Sequence, residues 1–173
     1  MKQFDNVWRK KFITVIILVL LSILSWNIVS YHPFQITYFN ELVGGIKGAY
    51  RKYDLDYWGS SQKKAIEWIN EHVPEGGVIH IVMAADVASR YLRPDLLQKV
   101  NTEYAQNSDY VVVLNRQSFF YRYRIVDYLL THDPVYTIQT QGIPLVWIYN
   151  NTLPAHEPIA KWWKGIDPCI VLD

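Results

Sequence analysis

Two carboxylates two residues apart, Asp54 and Asp56, are the residues of this chain whose type and spacing best suit chemistry. Neighbouring carboxylates can bind a divalent cation or exchange a proton with a substrate. A cation needs further oxygen ligands, however, and no third acidic residue lies at a ligand spacing from this pair. Turn formation and capping of a helix that begins near Ser60 explain both side chains. We therefore expect Asp54 and Asp56 to be structural residues.

The histidines and the cysteine form no catalytic or metal-binding pattern. The five histidines never fall at i, i+4, and the chain has no H-E-x-x-H sequence. In a strand, His80 shares a face with Val78 and Val82, which indicates a buried imidazole. Cys169 is the only cysteine, which rules out an internal disulfide and a multi-cysteine metal site. The sequence accordingly predicts no catalytic residue, no metal site and no cofactor.

Two groups of residues raise the possibility of phosphate binding. Residues 44–48 (GGIKG) can place backbone N–H groups and Lys47 around a phosphate, but they match neither nucleotide-binding glycine pattern. We expect a turn there. Arg116, Arg122 and Arg124 suggest a phosphate clamp. Because Arg122 and Arg124 lie about 200° apart around a helix, they cannot converge, and we expect solvent-exposed arginines.

Composition limits the classes of partner. The chain has 17 Lys and Arg against 16 Asp and Glu, for a net charge of +1. It therefore lacks the basic surface that binds nucleic acid. Aromatic residues make up 15% of the chain, with seven Trp and thirteen Tyr. Much of this aromatic surface must be buried, or must face lipid or a partner protein.

The longest apolar stretch, residues 12–31, reads FITVIILVLLSILSWNIVSY and carries no charge. As a helix it covers about 30 Å, the thickness of the hydrocarbon core of a bilayer. A backbone in lipid must satisfy its own hydrogen bonds, which favours a helix. Trp26 and Tyr31 suit the interfacial aromatic belt, and His32-Pro33 ends the helix. The sequence thus predicts a single transmembrane helix.

Basic residues set the expected orientation. Lys2 and residues 9–11 (RKK) precede the span, against Asp5 alone. The positive-inside bias places residues 1–11 in the cytoplasm and residues 32–173 in the periplasm or outside the cell. A cleaved signal peptide is the rival interpretation, but no small-x-small cleavage site follows the apolar run. We expect an uncleaved anchor.

Beyond the span, the sequence predicts three parts. Residues 32–59 form an aromatic, glycine-rich membrane-proximal segment, residues 60–150 one domain, and residues 151–173 an aromatic tail lying on the surface. We expect the bilayer or a partner subunit to contact aromatic residues from the span, the membrane-proximal segment and the tail. These are Trp26, Tyr31, Phe34, Tyr38, Phe39, Tyr57, Trp58, Trp162 and Trp163.

Alternating helical and extended segments predict an α/β domain with a mixed sheet and helices on both faces. The predicted elements are a helix over 60–72, a strand over 78–83, a helix over 86–92 capped by Asp86, a strand over 98–101, a strand over 110–114, a helix over 118–132, and a hairpin of strands 135–140 and 144–149. The first helix has an apolar stripe of Ala65, Ile66, Ile69 and Val73, and pairs Lys63 with Glu67. The long helix over 118–132 has a stripe of Phe119, Tyr123, Val126 and Leu130.

Five segments in series resemble a known family. They are YHPFQITYFNELVGG (31–45), DYWGS (56–60), AIEWIN (65–70), DYVVV (109–113) and GIPL (142–145). Their order resembles the C-terminal end of bacterial polytopic glycosyltransferases of the GT-C class, akin to the dolichyl-phosphate-mannose–protein mannosyltransferases. The resemblance covers about residues 12–150, the last membrane helix and the outer domain of that family.

The resemblance implies a domain that packs over a membrane-embedded partner. In that family, catalysis is implied to rest on acidic residues of the first extracytoplasmic loop, among many membrane helices. This sequence has one span, so no catalytic residue carries over. We expect a non-catalytic, single-pass subunit that caps or scaffolds a larger membrane protein complex. The alternatives are the C-terminal part of an active glycosyltransferase that uses a lipid-linked sugar, and a small-ligand-binding domain at the ends of the parallel strands.

Overall fold

The computed structural model describes residues 2–97 and 107–157, with the side chains of residues 2–6 left out of the description. The described chain divides into two compact units, one ending at Tyr38 and the other beginning at Phe39. The predicted strand over 98–101 and the predicted contact residues Trp162 and Trp163 lie outside the described residues.

The first unit is dominated by one long helix, α1, Lys2–Ser30. Its segment Val7–Ser30 is long and apolar enough to cross a membrane, and no part of that segment's apolar window is buried within the chain. The helix begins about ten residues before the predicted span because the basic residues ahead of Phe12 continue the same helix. It ends at Ser30, ahead of His32 and Pro33, as predicted.

The second unit contains the remaining helices and all described strands. In chain order these are α2 (Gly45–Ala49), α3 (Gln62–His72), β1 (Ile79–Val82), α4 (Ala85–Ala88), α5 (Pro94–Leu97), β2 (Tyr110–Leu114), α6 (Val126–Thr131), β3 (Tyr136–Thr140) and β4 (Ile143–Asn150). Short 3-10 turns join several of them, one at Glu41–Val43 and another at Gln117–Phe119.

The strands form one mixed sheet in the order β1-β2-β4-β3. β1 and β2 are parallel, whereas β4 is antiparallel both to β2 and to β3. The β3–β4 hairpin is the one that the sequence predicted, and its turn uses positive φ angles at Gln141 and Gly142. The prediction of a mixed α/β sheet is confirmed.

Both faces of the sheet are covered. On one face, the Trp68 ring of α3 lies 5.2 Å from the Tyr136 ring of β3. On the other face, the Tyr128 ring of α6 lies 5.3 Å from the Tyr149 ring of β4. Tyr136 pairs with Ile148, the neighbour of Tyr149, so the two helices contact opposite faces. Every residue from Val111 to Leu114 is buried, as a strand between two layers requires.

Two predicted helices differ from the structure. The helix expected over 118–132 is instead the turn at Gln117–Phe119 followed by α6, since Arg124 has a φ of 51° that interrupts a right-handed helix. Its expected stripe is consequently wrong: Tyr123 is exposed, while Phe120 and Leu129 are buried.

The helix expected near residue 86 is also different. It is the short α4 with a following 3-10 turn, and its N-cap is Ala84 rather than Asp86. In α3 the apolar stripe is confirmed, with Ala65, Ile66, Ile69 and Val73 all buried. The expected Lys63–Glu67 pair is wrong, because Lys64 contacts Glu67 instead, with 2.7 Å between Nζ and Oε2.

Candidate functional site

A buried carboxylate holds the segment that leads into α3. Asp56 is fully buried, and its Oδ2 accepts hydrogen bonds from the backbone N–H of Ser61 at 2.7 Å and from its hydroxyl at 2.6 Å. Its Oδ1 accepts from the backbone N–H of Ser60 at 2.9 Å and from its hydroxyl at 3.0 Å. Asp56 therefore has the expected structural role, but it holds the two residues ahead of α3 rather than capping an N–H group within the helix. Both serine hydroxyls donate to this carboxylate, so neither serine caps α3 with its own side chain.

The second carboxylate, Asp54, ties the same segment to the chain beyond β2. Its Oδ2 accepts from the Ser118 hydroxyl at 2.5 Å, and its Oδ1 accepts from the Ser118 backbone N–H at 3.2 Å. The two aspartates therefore do not converge on a shared cation or substrate. Each satisfies serine donors of the chain, which leaves them a structural role.

The segment from Asp54 to Gln62 covers the carboxyl ends of the parallel strands. Fully buried Gln62 donates from Nε2 to the carbonyl of Met83, just past β1, at 3.0 Å. A Cβ on Gly59 would lie 2.9 Å from the Cβ of Ala84, so only glycine permits this close approach. Met83 and Ala84 both adopt positive φ, an uncommon conformation for residues with a side chain. The edge of the sheet that often holds ligands in α/β folds is thus occupied by the chain itself.

Trp58 and Tyr57 of this anchored segment form a row with a guanidinium group and two rings from the chain after β2, which we call the aromatic ladder (Trp58, Tyr57, Arg116, Phe119 and Tyr123). The rings of Trp58 and Tyr57 meet edge to face with 5.2 Å between centroids. The Arg116 guanidinium lies over the Tyr57 ring at 4.1 Å and over the Phe119 ring at 4.2 Å. The Phe119 and Tyr123 centroids are 6.3 Å apart. Each contact falls within the usual range for aromatic and cation–π pairs.

Arg116 corrects the expectation of a solvent-exposed arginine. Its side chain is only 16% exposed, and its Nε lies 3.6 Å from the Oδ2 of Asp54, beyond hydrogen-bond distance. That Nε is buried and has no hydrogen-bond partner. Arg122 and Arg124 are exposed as expected, although the Arg122 guanidinium lies 5.9 Å from the Phe119 ring.

The aromatic contact residues predicted from the sequence have different exposures. In the second unit, Tyr57 is 56% exposed and Trp58 is 68% exposed, whereas Phe39 is half-buried and stacks with Tyr53. More than half of the surface of Tyr57 and of Trp58 is therefore exposed.

Within the first unit, Trp26 is 71% exposed and Tyr38 is also exposed. Tyr31 is 3% exposed and Phe34 is 7% exposed. Tyr31 and Tyr38 pack edge to face with 5.4 Å between centroids. Of the four predicted contact residues in the first unit, Trp26 and Tyr38 are exposed, whereas Tyr31 and Phe34 are buried.

The turn expected over residues 44–48 is confined to Gly44, because residues 45–48 are helical and belong to α2. Gly44 has a φ of 83° and ends the 3-10 turn before α2. A Cβ on Gly48 would lie 1.8 Å from the carbonyl oxygen of Val43, so the chain passes itself too closely for any other residue. His80 is buried, as the strand pattern indicated. Among residues 2–97 and 107–157, no three His, Cys, Asp or Glu side chains are grouped as metal ligands.

The clearest electrostatic perturbation lies away from the ladder. Arg93 donates to Asp95 through Nε at 2.9 Å and through Nη2 at 3.1 Å, and also binds the carbonyls of Asn70 and Val73. The Arg93 hydrogen bonds, together with the backbone N–H of Gly76, lower the pKa of Asp95 to about 2. This cluster fastens the end of α3 to α5 and is structural.

Sequence reasoning missed the ladder as a unit, although it named Tyr57 and Trp58. Phe119 and Arg116 are far from them in the chain, and no local pattern relates the two segments. One signal was available, since Arg116 lies two residues beyond the end of the buried strand β2, where a charged side chain must find a partner.

Comparison with protein-family models, with curated proteins and with solved structures finds no significant match to this chain.

Proposed function

We propose that this chain is a non-catalytic, membrane-anchored subunit whose outer α/β domain docks on a larger membrane protein complex. In this proposal α1 crosses the bilayer with its N-terminus in the cytoplasm, and the domain lies on the periplasmic or extracellular side. The partner is an integral membrane protein.

The observation that carries this proposal is the aromatic ladder. Trp, Tyr and Arg are the residue types that contribute most to binding energy at protein interfaces. Here Trp58 and Tyr57 are exposed on a segment that Asp56 fixes through four hydrogen bonds. A rigid aromatic side chain loses little conformational entropy when it binds, so such a surface is prepared for a partner.

Two further observations support the proposal. No residue in the apolar window of α1 is buried in the part of the chain that the structure describes, and lipid or a neighbouring helix can cover this surface. Asp54 and Asp56 are the acidic residues best suited to chemistry. Their carboxylate oxygens accept hydrogen bonds from Ser60, Ser61 and Ser118. A structural role for these carboxylates fits a docking domain better than an enzyme.

The test is site-specific photo-crosslinking in native membranes. A benzophenone amino acid at position 58 of the full chain is expected to form one discrete adduct with an integral membrane protein. The matched control carries the same group at Tyr136, an exposed aromatic residue on β3 outside the ladder. Trp58→Ala should weaken co-purification of the same protein by about 30-fold, the effect of a hot-spot residue near 2 kcal/mol.

Equal adducts from positions 58 and 136 would show non-specific proximity and would contradict the proposal. The proposal would also be contradicted if the wild-type chain purified in mild detergent as a stable monomer, or if Trp58→Ala still co-purified with the partner protein.

A further inference from the structure

Arg116 is held in a way that packing alone does not explain. Its guanidinium lies 4.1 Å from the Tyr57 centroid and 4.2 Å from the Phe119 centroid, so two rings restrict its motion. Its side chain is largely buried, and its Nε has no hydrogen-bond partner. An unpaired buried donor costs free energy, and an apolar side chain would fill the same space without that cost.

The terminal nitrogens of Arg116 remain available to a ligand. Within the described residues, the guanidinium makes no hydrogen bond, and its one ionic contact is from Nε to Asp54 at 3.6 Å. Nε is buried without a hydrogen-bond partner, and the side chain as a whole keeps 16% of its surface exposed. A guanidinium held in place by rings and with its terminal N–H groups free is pre-organised for two-point binding of an oxyanion.

A second cation lies near the Phe119 ring. The Arg122 guanidinium lies 5.9 Å from the same Phe119 ring, so two cations flank one ring. Asp54 offsets part of this charge, but its oxygens already accept two hydrogen bonds from Ser118. A phosphate monoester carries up to two charges near neutral pH and matches the planar guanidinium fork.

We propose that Arg116, clamped between Tyr57 and Phe119, binds the phosphate group of a phosphate monoester. Arg122 adds charge, and exposed Trp58 offers an apolar ring to the organic part of the ligand. Such a phosphate occurs both in a lipid headgroup and in a soluble ester. The inference does not rest on the proposed complex, because its test measures ligand binding to the purified chain alone.

The experiment titrates the full chain in dodecyl maltoside with two probes and measures affinity by calorimetry. Glycerol phosphate represents a soluble ester, and dihexanoyl phosphatidic acid represents a lipid headgroup with the same phosphate chemistry. We expect at least one probe to bind. Arg116→Gln should weaken that binding by at least about tenfold, as expected for the loss of charge-assisted hydrogen bonds. The matched control, Arg90→Gln, removes an exposed arginine from another element and should leave affinity unchanged.

A second variant tests the site by a gain of affinity. Asp54→Asn removes the competing negative charge while keeping an acceptor for Ser118, and should tighten binding by about fivefold. Binding of phosphatidic acid alone assigns the site to lipid, and binding of both probes assigns it to the phosphate group itself. Failure of both probes to bind, or equal affinity in wild type and Arg116→Gln, overturns the proposal. If Arg116→Gln loses the near-ultraviolet dichroism of the folded domain, its affinity is not informative and the Asp54→Asn variant is the test. Unchanged or weaker phosphate binding by Asp54→Asn then overturns the proposal.

Discussion

Replacement of Asp56 by alanine should remove a large fraction of the stability of the outer domain. The substitution deletes the acceptor of four hydrogen bonds, two from Ser60 and two from Ser61. Ser61 is fully buried, so its N–H and hydroxyl would both lose their partner away from water. Each such donor costs about 1–3 kcal/mol, and the two partly buried donors of Ser60 add about 0.5 kcal/mol each. The expected loss is therefore about 3–7 kcal/mol, a substantial part of the about 5–15 kcal/mol that stabilises a typical domain.

The measurement is urea unfolding of the full chain in maltoside, followed by near-ultraviolet dichroism of the packed aromatic residues. Asp56→Asn keeps one acceptor oxygen for the serine donors, so its free energy of unfolding should fall by about half as much as that of Asp56→Ala. Asp86→Ala is the matched control, because Asp86 is exposed and its side chain makes no hydrogen bond among the described residues. A change below about 1 kcal/mol for Asp56→Ala, or one equal to that of Asp86→Ala, would refute the reasoning.

Two further outcomes follow from geometry and from charge. Gly48→Ala should destabilise the domain by at least about 3 kcal/mol in thermal unfolding, because the new Cβ would lie 1.8 Å from the oxygen of Val43. Gly142→Ala, whose Cβ meets nothing within 4 Å, should cost only the about 1–2 kcal/mol of its positive φ, and equal losses would contradict this account. Arg93 lowers the pKa of Asp95 to about 2, whereas the same carboxyl in an unfolded chain has a pKa of about 3.9. The ionised carboxylate therefore stabilises the fold above about pH 4, and this stabilisation is lost as the pH falls towards 2. The unfolding midpoint of Asp95→Asn should change less between pH 5 and pH 2.5 than that of wild type, and an identical pH profile would contradict the assignment.

Strong local patterns predicted most of the regular structure. Residues 110–114 (YVVVL) form β2 with the predicted bounds, since a β-branched apolar run suits a strand covered on both faces. The apolar stripe of α3 and the β3–β4 hairpin were likewise readable from periodicity and turn residues. In each case the signal lies within a short window of sequence.

The predicted helix over 118–132 was wrong because long-range contacts outweigh its helical pattern. Ser118 binds Asp54, which lies 64 residues earlier in the chain, and thereby positions the turn that follows β2. Arg124 then adopts a positive φ, with no glycine or proline nearby in the sequence to indicate it. Propensity cannot detect a tertiary contact of this kind.

The candidate site was predicted only in part for the same reason. Tyr57 and Trp58 were identified by residue type, and Asp56 was correctly assigned to a structural role. Arg116 was expected in solvent, since the two rings that enclose it come from segments on either side of β1 and β2 in the chain. Only the parallel pairing of those strands brings the segments together.

The strand order has a consequence for how this chain is made. β2 runs through the middle of the sheet, and its second neighbour, β4, is supplied only by residues 143–150. While the chain is being synthesised, one side of β2 therefore has no partner strand among the described strands until residues 143–150 have emerged. A chain that ends before residue 143 would leave backbone N–H and C=O groups of β2 unpaired on one side. Such an exposed strand edge promotes aggregation and recognition by quality-control proteases.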